Sequence, residues 1–158
     1  MSDNPDQRIE IDALLRSLPH RYPFLLVDRI IEMERDVRIT GVKNVTMDEP
    51  FFAAGSGSGE AAMPGLLIIE ALAQTGAVLL MTSQAAQEQD AESTKLVYFA
   101  SLHNAVFHGV VRPGDQLRLE ITVTQARGRL RKVHGAALVD GTVVCEGDLA
   151  AVLVDRTV

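Results

Sequence analysis

One carboxyl stands inside the most apolar part of this chain. In "MPGLLIIEALAQTGAVLLM", residues 63–81, Glu70 lies one and a half turns into a greasy helical run, and Gln74 follows a turn later on the same face. A carboxylate there is costly to bury without a partner. Burial favours the protonated form, which is the form a general acid needs. The chemistry suggested is proton donation at a dry site, with Gln74 orienting the carboxyl, binding water or simply filling space. A structural carboxyl satisfied by local hydrogen bonds is the alternative. Gly65 follows Pro64 at the start of the run. It permits close approach of a ligand to the backbone N–H groups of a helix start, or serves turn geometry alone.

The partner such an acid needs is harder to find. The stretch before the helix, "AAGSGSGEAAMPG" (53–65), holds one side chain that titrates near neutrality or below, Glu60. Four histidines lie elsewhere: His20, His103, His108 and His134. His20 sits between prolines in "LPHRYPF" and reads as structural. His103 and His108 are five apart, so a regular strand points them to opposite faces. His134 has no acidic neighbour in sequence and reads as a half-exposed strand residue. The one cysteine, Cys145, allows no internal disulfide and reads as a small buried hydrophobe in "TVVCEGDLAAVLV". His and carboxylates show no metal-ligand spacing, so no metal or cofactor is expected. "GSGSG" lacks the strand and helix context of a phosphate loop.

The elements that must position these residues can be read from periodicity. Residues 8–18 have helical spacing and stop at Pro19. Strands are expected near 25–34 and 37–46, the second with a bulge at Gly41. Pro64 suits a first helical turn. From Leu66 the helix is apolar nearly all round, so it must be buried on most sides. It turns polar near residue 83 and ends before about 92. Residues 96–111, 115–124, 129–139 and 142–154 read as strands. Residues 115–124 alternate without a fault, and "VDGT" is a hairpin signal. A long greasy helix and a sheet large enough to curl round it make an α+β solution.

The 158 residues fit one domain, 1–158, and the composition, 47% apolar and 23% charged, is that of an ordinary globular chain. A net charge of −6 offers no global field to nucleic acid or anionic lipid. The first residues lack the pattern of a secretory signal, and Glu70 and Gln74 interrupt the long apolar run. The expectation is a soluble cytoplasmic protein with no membrane and no nucleic-acid partner.

Six segments together resemble the (3R)-hydroxyacyl-[acyl-carrier-protein] dehydratases of bacterial type II fatty-acid synthesis. They are "LPHRYPFLLVDRI" (18–30), "EPFF" (49–52), "MPGLLIIEALAQ" (63–74), "VYFA" (97–100), "PGDQL" (113–117) and "DGTVVCEGDL" (140–149), in family order over residues 9–154. The resemblance implies a hot-dog fold and a homodimer with sites at the subunit interface, usually a hexamer built as a trimer of dimers. It implies removal of water from a 3-hydroxyacyl thioester on acyl carrier protein to give the trans-2-enoyl thioester. Glu70 matches the family's catalytic glutamate, with Gly65 and Gln74 as substrate-binding positions. The family's base is a histidine in a "GHFPG"-like loop of the opposite subunit, and N–H groups at the helix start can hold the thioester oxygen.

This chain departs from the family at that loop. After "EPFF" it reads "AAGSGSGEAAMPG", one residue longer than the pattern and without histidine. Ser56 takes the histidine place counting back from Glu70; Gly55 takes it counting forward from Phe52. Neither can act as a base. The Gly-Ser run is entropically costly to order, so mobility is expected there. His108 and Glu60 are weak substitutes. Arg127, Arg129, Arg131 and Lys132 form a local basic cluster that could steer an acidic carrier protein, or serve as a solvated hairpin. The expectation is a dehydratase scaffold with its acid kept and its base lost. The alternatives are a non-catalytic acyl-binding or assembly subunit, and a hot-dog thioesterase.

Overall fold

The computed structural model describes residues 9–53, 61–88 and 95–155. In chain order come helix α1 (Ile11–Ser17), strands β1 (Arg29–Glu34) and β2 (Arg38–Asn44), a short helical turn α2 (Pro50–Ala53) and the long helix α3 (Gly65–Glu88). Strands β3 (Lys95–Phe107), β4 (Gln116–Arg127), β5 (Leu130–Val139) and β6 (Thr142–Asp155) complete the set. The six strands pair antiparallel in the order β1-β2-β4-β5-β6-β3, which leaves β1 and β3 at the edges. The expected α+β arrangement of a greasy helix against a curled sheet is what the chain forms.

Alternation decides which face of the sheet meets the helix. Leu117, Leu119 and Ile121 of β4 are buried, while Arg118 and Glu120 point outward and bond each other at 2.6 Å. On β5 and β6 the buried residues Val133, Ala137, Leu149 and Ala151 face the same way. The facing helix has no polar side to show: every residue from Ala71 to Leu80 is buried. By length and composition Gly65–Ala85 is apolar enough to cross a membrane, so Glu70 and Gln74 do not disqualify it as the sequence suggested. Two-thirds of its most apolar window is covered by the rest of the chain, as for a core helix.

Turn chemistry follows the sequence. Asp140 and Gly141 both take positive φ, 49° and 79°, closing the β5–β6 hairpin with the twist such strands need. Gly41, however, is not a bulge. The β2–β4 register runs unbroken through Gly41↔Leu119, and the irregularity falls in β1 between Ile30 and Glu32. Gly41 is needed for close approach, since a Cβ there would sit 2.9 Å from Thr75 Oγ1 on α3. The first strand starts at Arg29, not residue 25, because Leu26 and Val27 enter the core from a turn that is tied to α3. The turn α2 was not expected; four residues carry no readable period.

Cys145 lies fully within this core. Burial, with Glu146 alongside, pushes its thiol up to about 11. The folded chain should therefore resist alkylation near neutral pH and react only when unfolded. Because the folded value is raised, the stability it contributes is present below the ordinary thiol range, about 8.5, and is lost as pH climbs towards 11. A melting temperature that falls over that window in the native chain, and falls less in Cys145→Val, is the expected result.

Candidate active site

The site is built where α3 passes the turn that follows α1. That turn, residues 18–24, is clamped from both sides. Arg21 donates to the carbonyls of Leu18, His20 and Leu15 at 2.7, 2.7 and 2.8 Å, which ties the turn to the end of α1. Phe24 N–H closes on Arg21 O at 2.7 Å, next to a cis Tyr22–Pro23 bond. From α3, Gln74 reaches across: its Nε2 donates to Phe24 O at 2.7 Å and its Oε1 accepts from Leu26 N–H at 2.9 Å. Gln74 is 1% exposed, so leaving these groups unpaired would be costly.

The same amide nitrogen also donates to Glu70 Oε1 at 2.8 Å. Both N–H bonds of Gln74 are thereby engaged, one on the turn and one on the carboxyl. Across from it, His20 Nε2 lies 3.3 Å from Glu70 Oε1. His20 Nδ1 is buried without a hydrogen-bond partner among the described residues. Glu70 is less covered than its apolar helix suggested: its side chain is 40% exposed in the single chain.

His20, Glu70 and Gln74 form the polar mouth of a cavity of about 190 Å³. The wall beyond them is apolar, running from Leu18 and Ala77 to Met81, Leu96 and Phe99. An apolar cavity with a carboxyl at its opening is suited in shape and polarity to a hydrocarbon chain. It is smaller than the ~300–1,000 Å³ of usual small-molecule sites.

Gly65 begins α3 beside a ring from β3. A Cβ on Gly65 would stand 2.6 Å from Phe107 Cε1, so the bare backbone lets the ring lie against the helix start. The first N–H groups of a helix have no partner within it. Here Leu67 N–H and Ile68 N–H close on Pro64 O at 2.9 and 3.4 Å, and Phe107 lies against the Gly65 end. Ser56 and Gly55, the positions standing in the histidine place, and Glu60 lie outside the described residues, as does the expected mobility of that loop.

The other three histidines sit apart from this site, and two of them join one network on the outer face of the sheet. His134 Nδ1 meets Asp148 Oδ1 at 2.8 Å, and His108 Nε2 meets Glu146 Oε1 at 2.8 Å. His134 Nε2 is 3.6 Å from Glu146 Oε2, which joins the two pairs. The bond from Asn104, then that from His134, holds the Asp148 carboxyl below the usual carboxylate range. Parity in β3 is broken by a bulge between His103 and Val106, where Asn104 takes φ 52°. The five-residue spacing of His103 and His108 therefore does not separate them by face, as a regular strand would. His134 finds its acid across the sheet, from the strand opposite, not from its own.

The basic cluster is partly spent within the chain. Arg129 pairs with Asp155 at 3.0 Å, and Arg131 donates to Gly128 O and Leu130 O. Sequence reasoning missed the His20–Glu70 contact and the wall residues Met81, Leu96 and Phe99. The signal available for the first was a histidine set between two prolines, Pro19 and Pro23, in a turn too stiff to be incidental.

Comparison with known proteins gives the family. The FabA-like domain family matches residues 18–148. A 3-hydroxyacyl-[acyl-carrier-protein] dehydratase FabZ from Caulobacter vibrioides is 46% identical, with 98% of this chain and 97% of the relative covered. The protein of the same name from Herpetosiphon aurantiacus is 47% identical over 93% of this chain and 99% of its own length. Among solved structures, one described as the dehydratase heterocomplex ApeI:P from Xenorhabdus doucetiae superposes with a TM-score of 0.75. It covers 90% of this chain and 91% of its own at 20% identity, a likeness of fold alone.

Proposed function

The chain belongs to the FabA-like family, with the hot-dog scaffold of the 3-hydroxyacyl-[acyl-carrier-protein] dehydratases of fatty-acid biosynthesis, and from this we infer a hydro-lyase that retains its acid and lacks its usual base. The substrate is a 3-hydroxyacyl thioester on acyl carrier protein and the product is the trans-2-enoyl thioester. The observation that carries the reading is Glu70, held by Gln74 at the polar mouth of an apolar slot.

The acyl chain lies along the slot, and the thioester oxygen faces the N–H groups at the start of α3, near Gly65. Donors fixed there before reaction stabilise the negative charge that builds on that oxygen. Glu70 supplies the proton that turns the departing hydroxyl into water. Gln74 acts through Glu70, since both its N–H bonds are engaged in the scaffold. No histidine occupies the loop position of the family's base, where Ser56 stands.

The functional unit is a homodimer, and three such pairs make a hexamer. Edge strand β3 exposes Tyr98, Leu102, Val106 and Phe107, an apolar row suited to a second copy. The small volume of the slot in one chain supports the same reading. The protein works in the cytoplasm, where acyl carrier protein is the soluble partner, and needs no metal or cofactor.

The test is an assay of enoyl-thioester formation by this chain and by a chain carrying Gly-His-Phe-Pro-Gly between Phe52 and Met63. The second should be faster by about 10²–10⁴-fold, the usual worth of an acid–base group. Equal rates would show that no base is missing. Acyl binding without turnover in both would favour an acyl-binding subunit, and release of free thiol would favour a thioesterase.

A further inference from the structure

We propose that His20 is a positioning residue for Glu70, and that in this chain both proton transfers of dehydration run through the one carboxyl it anchors. The proposal rests on the dehydratase reading of the site.

The two ring nitrogens of His20 differ. Its Nδ1 is buried with no hydrogen-bond partner among the described residues, whereas Nε2 faces Glu70 Oε1 at 3.3 Å. A buried N–H without an acceptor is a worse arrangement than a bare ring nitrogen, so the proton belongs on Nε2. The N–H then lies toward Glu70 Oε1 at 3.3 Å as a charge–dipole contact, not a hydrogen bond, and the lone pair sits on the buried Nδ1, away from substrate. Gln74 Nε2 donates to the same oxygen at 2.8 Å. Oε1 accepts one hydrogen bond, from Gln74 of α3, and has the His20 ring of the turn beside it. Oε2 has no partner among the described residues and is the oxygen left for substrate.

The turn itself cannot drift. Arg21 bonds the carbonyl of His20, and Gln74 bonds Phe24 and Leu26 beyond it. Among the described residues that line the slot, His20 and Glu70 are the titratable side chains; β3 contributes Leu96, Val97 and Phe99.

The reaction balances on one carboxyl. As the carboxylate, Oε2 takes the α proton: the C–H bond breaks and its electrons move into the thioester as an enolate. The enolate collapses to the C2–C3 double bond as the C3–O bond breaks. The proton on Oε2 passes to the departing hydroxyl, water leaves and the carboxylate is restored. Nothing else is consumed.

The experiment measures enoyl-thioester formation against pH in this chain, in His20→Leu and in His20→Gln, with the chain carrying Gly-His-Phe-Pro-Gly between Phe52 and Met63 as reference. This chain should show slow turnover that is flat between about pH 6 and 8, because no free histidine takes the proton. His20→Leu should lower kcat about 3- to 5-fold with KM within about twofold, the scale of one partly exposed polar contact. His20→Gln, whose amide can donate, should recover part of the loss. Three results overturn the proposal while leaving the dehydratase reading intact: an active reference beside an inert native chain, kcat unchanged in His20→Leu, or a rate that tracks histidine titration. An inert reference would remove the dehydratase reading and this proposal with it.

Discussion

Exchanging Glu70 for glutamine should bring dehydration to background while leaving the fold in place. The substitution suits the site: the new amide oxygen can take the place of Oε1, accepting from Gln74 Nε2 beside the His20 ring. The NH₂ group then occupies the place of Oε2, matching the carboxyl in shape but unable to exchange a proton. The melting temperature should hold within about 2 °C, as for a change of roughly 0.5 kcal/mol at a partly exposed position. Enoyl-thioester formation should fall by about 10²–10⁴-fold, which in a chain already short of a base means no rate above the uncatalysed reaction. Binding of an unreactive acyl thioester should persist, because the apolar wall is untouched. Turnover that survives the exchange would remove Glu70 from the chemistry, and a collapse of stability would assign it to the scaffold instead.

Removing the carboxyl of Glu49 should cost far more stability than exchanging Glu70 for glutamine. Lys43 of β2 and Glu49 form an ion pair with only 6% and 13% of their side chains exposed. In Glu49→Ala the ammonium of Lys43 stays inside without a counter-charge, a situation worth about 3–5 kcal/mol against the folded state. For a chain of this length that is a drop in melting temperature of roughly 6–20 °C. The double change Lys43→Met with Glu49→Leu should restore most of it, because a buried pair replaced by apolar groups is often neutral. Thermal unfolding of the three chains is the measurement. Equal losses in the single and double variants would mean that packing, not the stranded charge, sets the cost. The pair matters to the site because Glu49 O accepts from Phe52 N–H and so anchors α2. Phe52 is the last well-buried residue described before the segment that departs from the family pattern.

Glu70 could be found from sequence because a carboxyl within an apolar helix violates its surroundings, and the violation is visible in one dimension. The helix, the strands of the second half and the Asp140–Gly141 turn were legible for the same reason: their signals lie within a few residues. The rest depends on partners far along the chain. Gln74 meets Leu26 and Phe24 across 48 and 50 positions, and His20 meets Glu70 only because that bridge and Arg21 fix the turn. The outer histidine network needs the β5–β6 register, which sets His134 opposite Asp148. It also needs a bulge whose left-handed Asn104 no alternation pattern announces. Gly41 illustrates the converse: its presence in a strand was plain, but whether it served a bulge or a close approach depended on Thr75 of a helix not yet placed.

The order of the elements along the chain has a consequence for birth on the ribosome. The rod that fills the middle of the molecule is translated first, and the strands β3–β6 that wrap it come after, through Asp155. At about 5–20 residues per second the covering sheet is several seconds late. During that delay a nascent chain displays a segment long and greasy enough to be taken for a bilayer anchor. Slower translation across the second half lengthens the time for which that apolar surface stands uncovered.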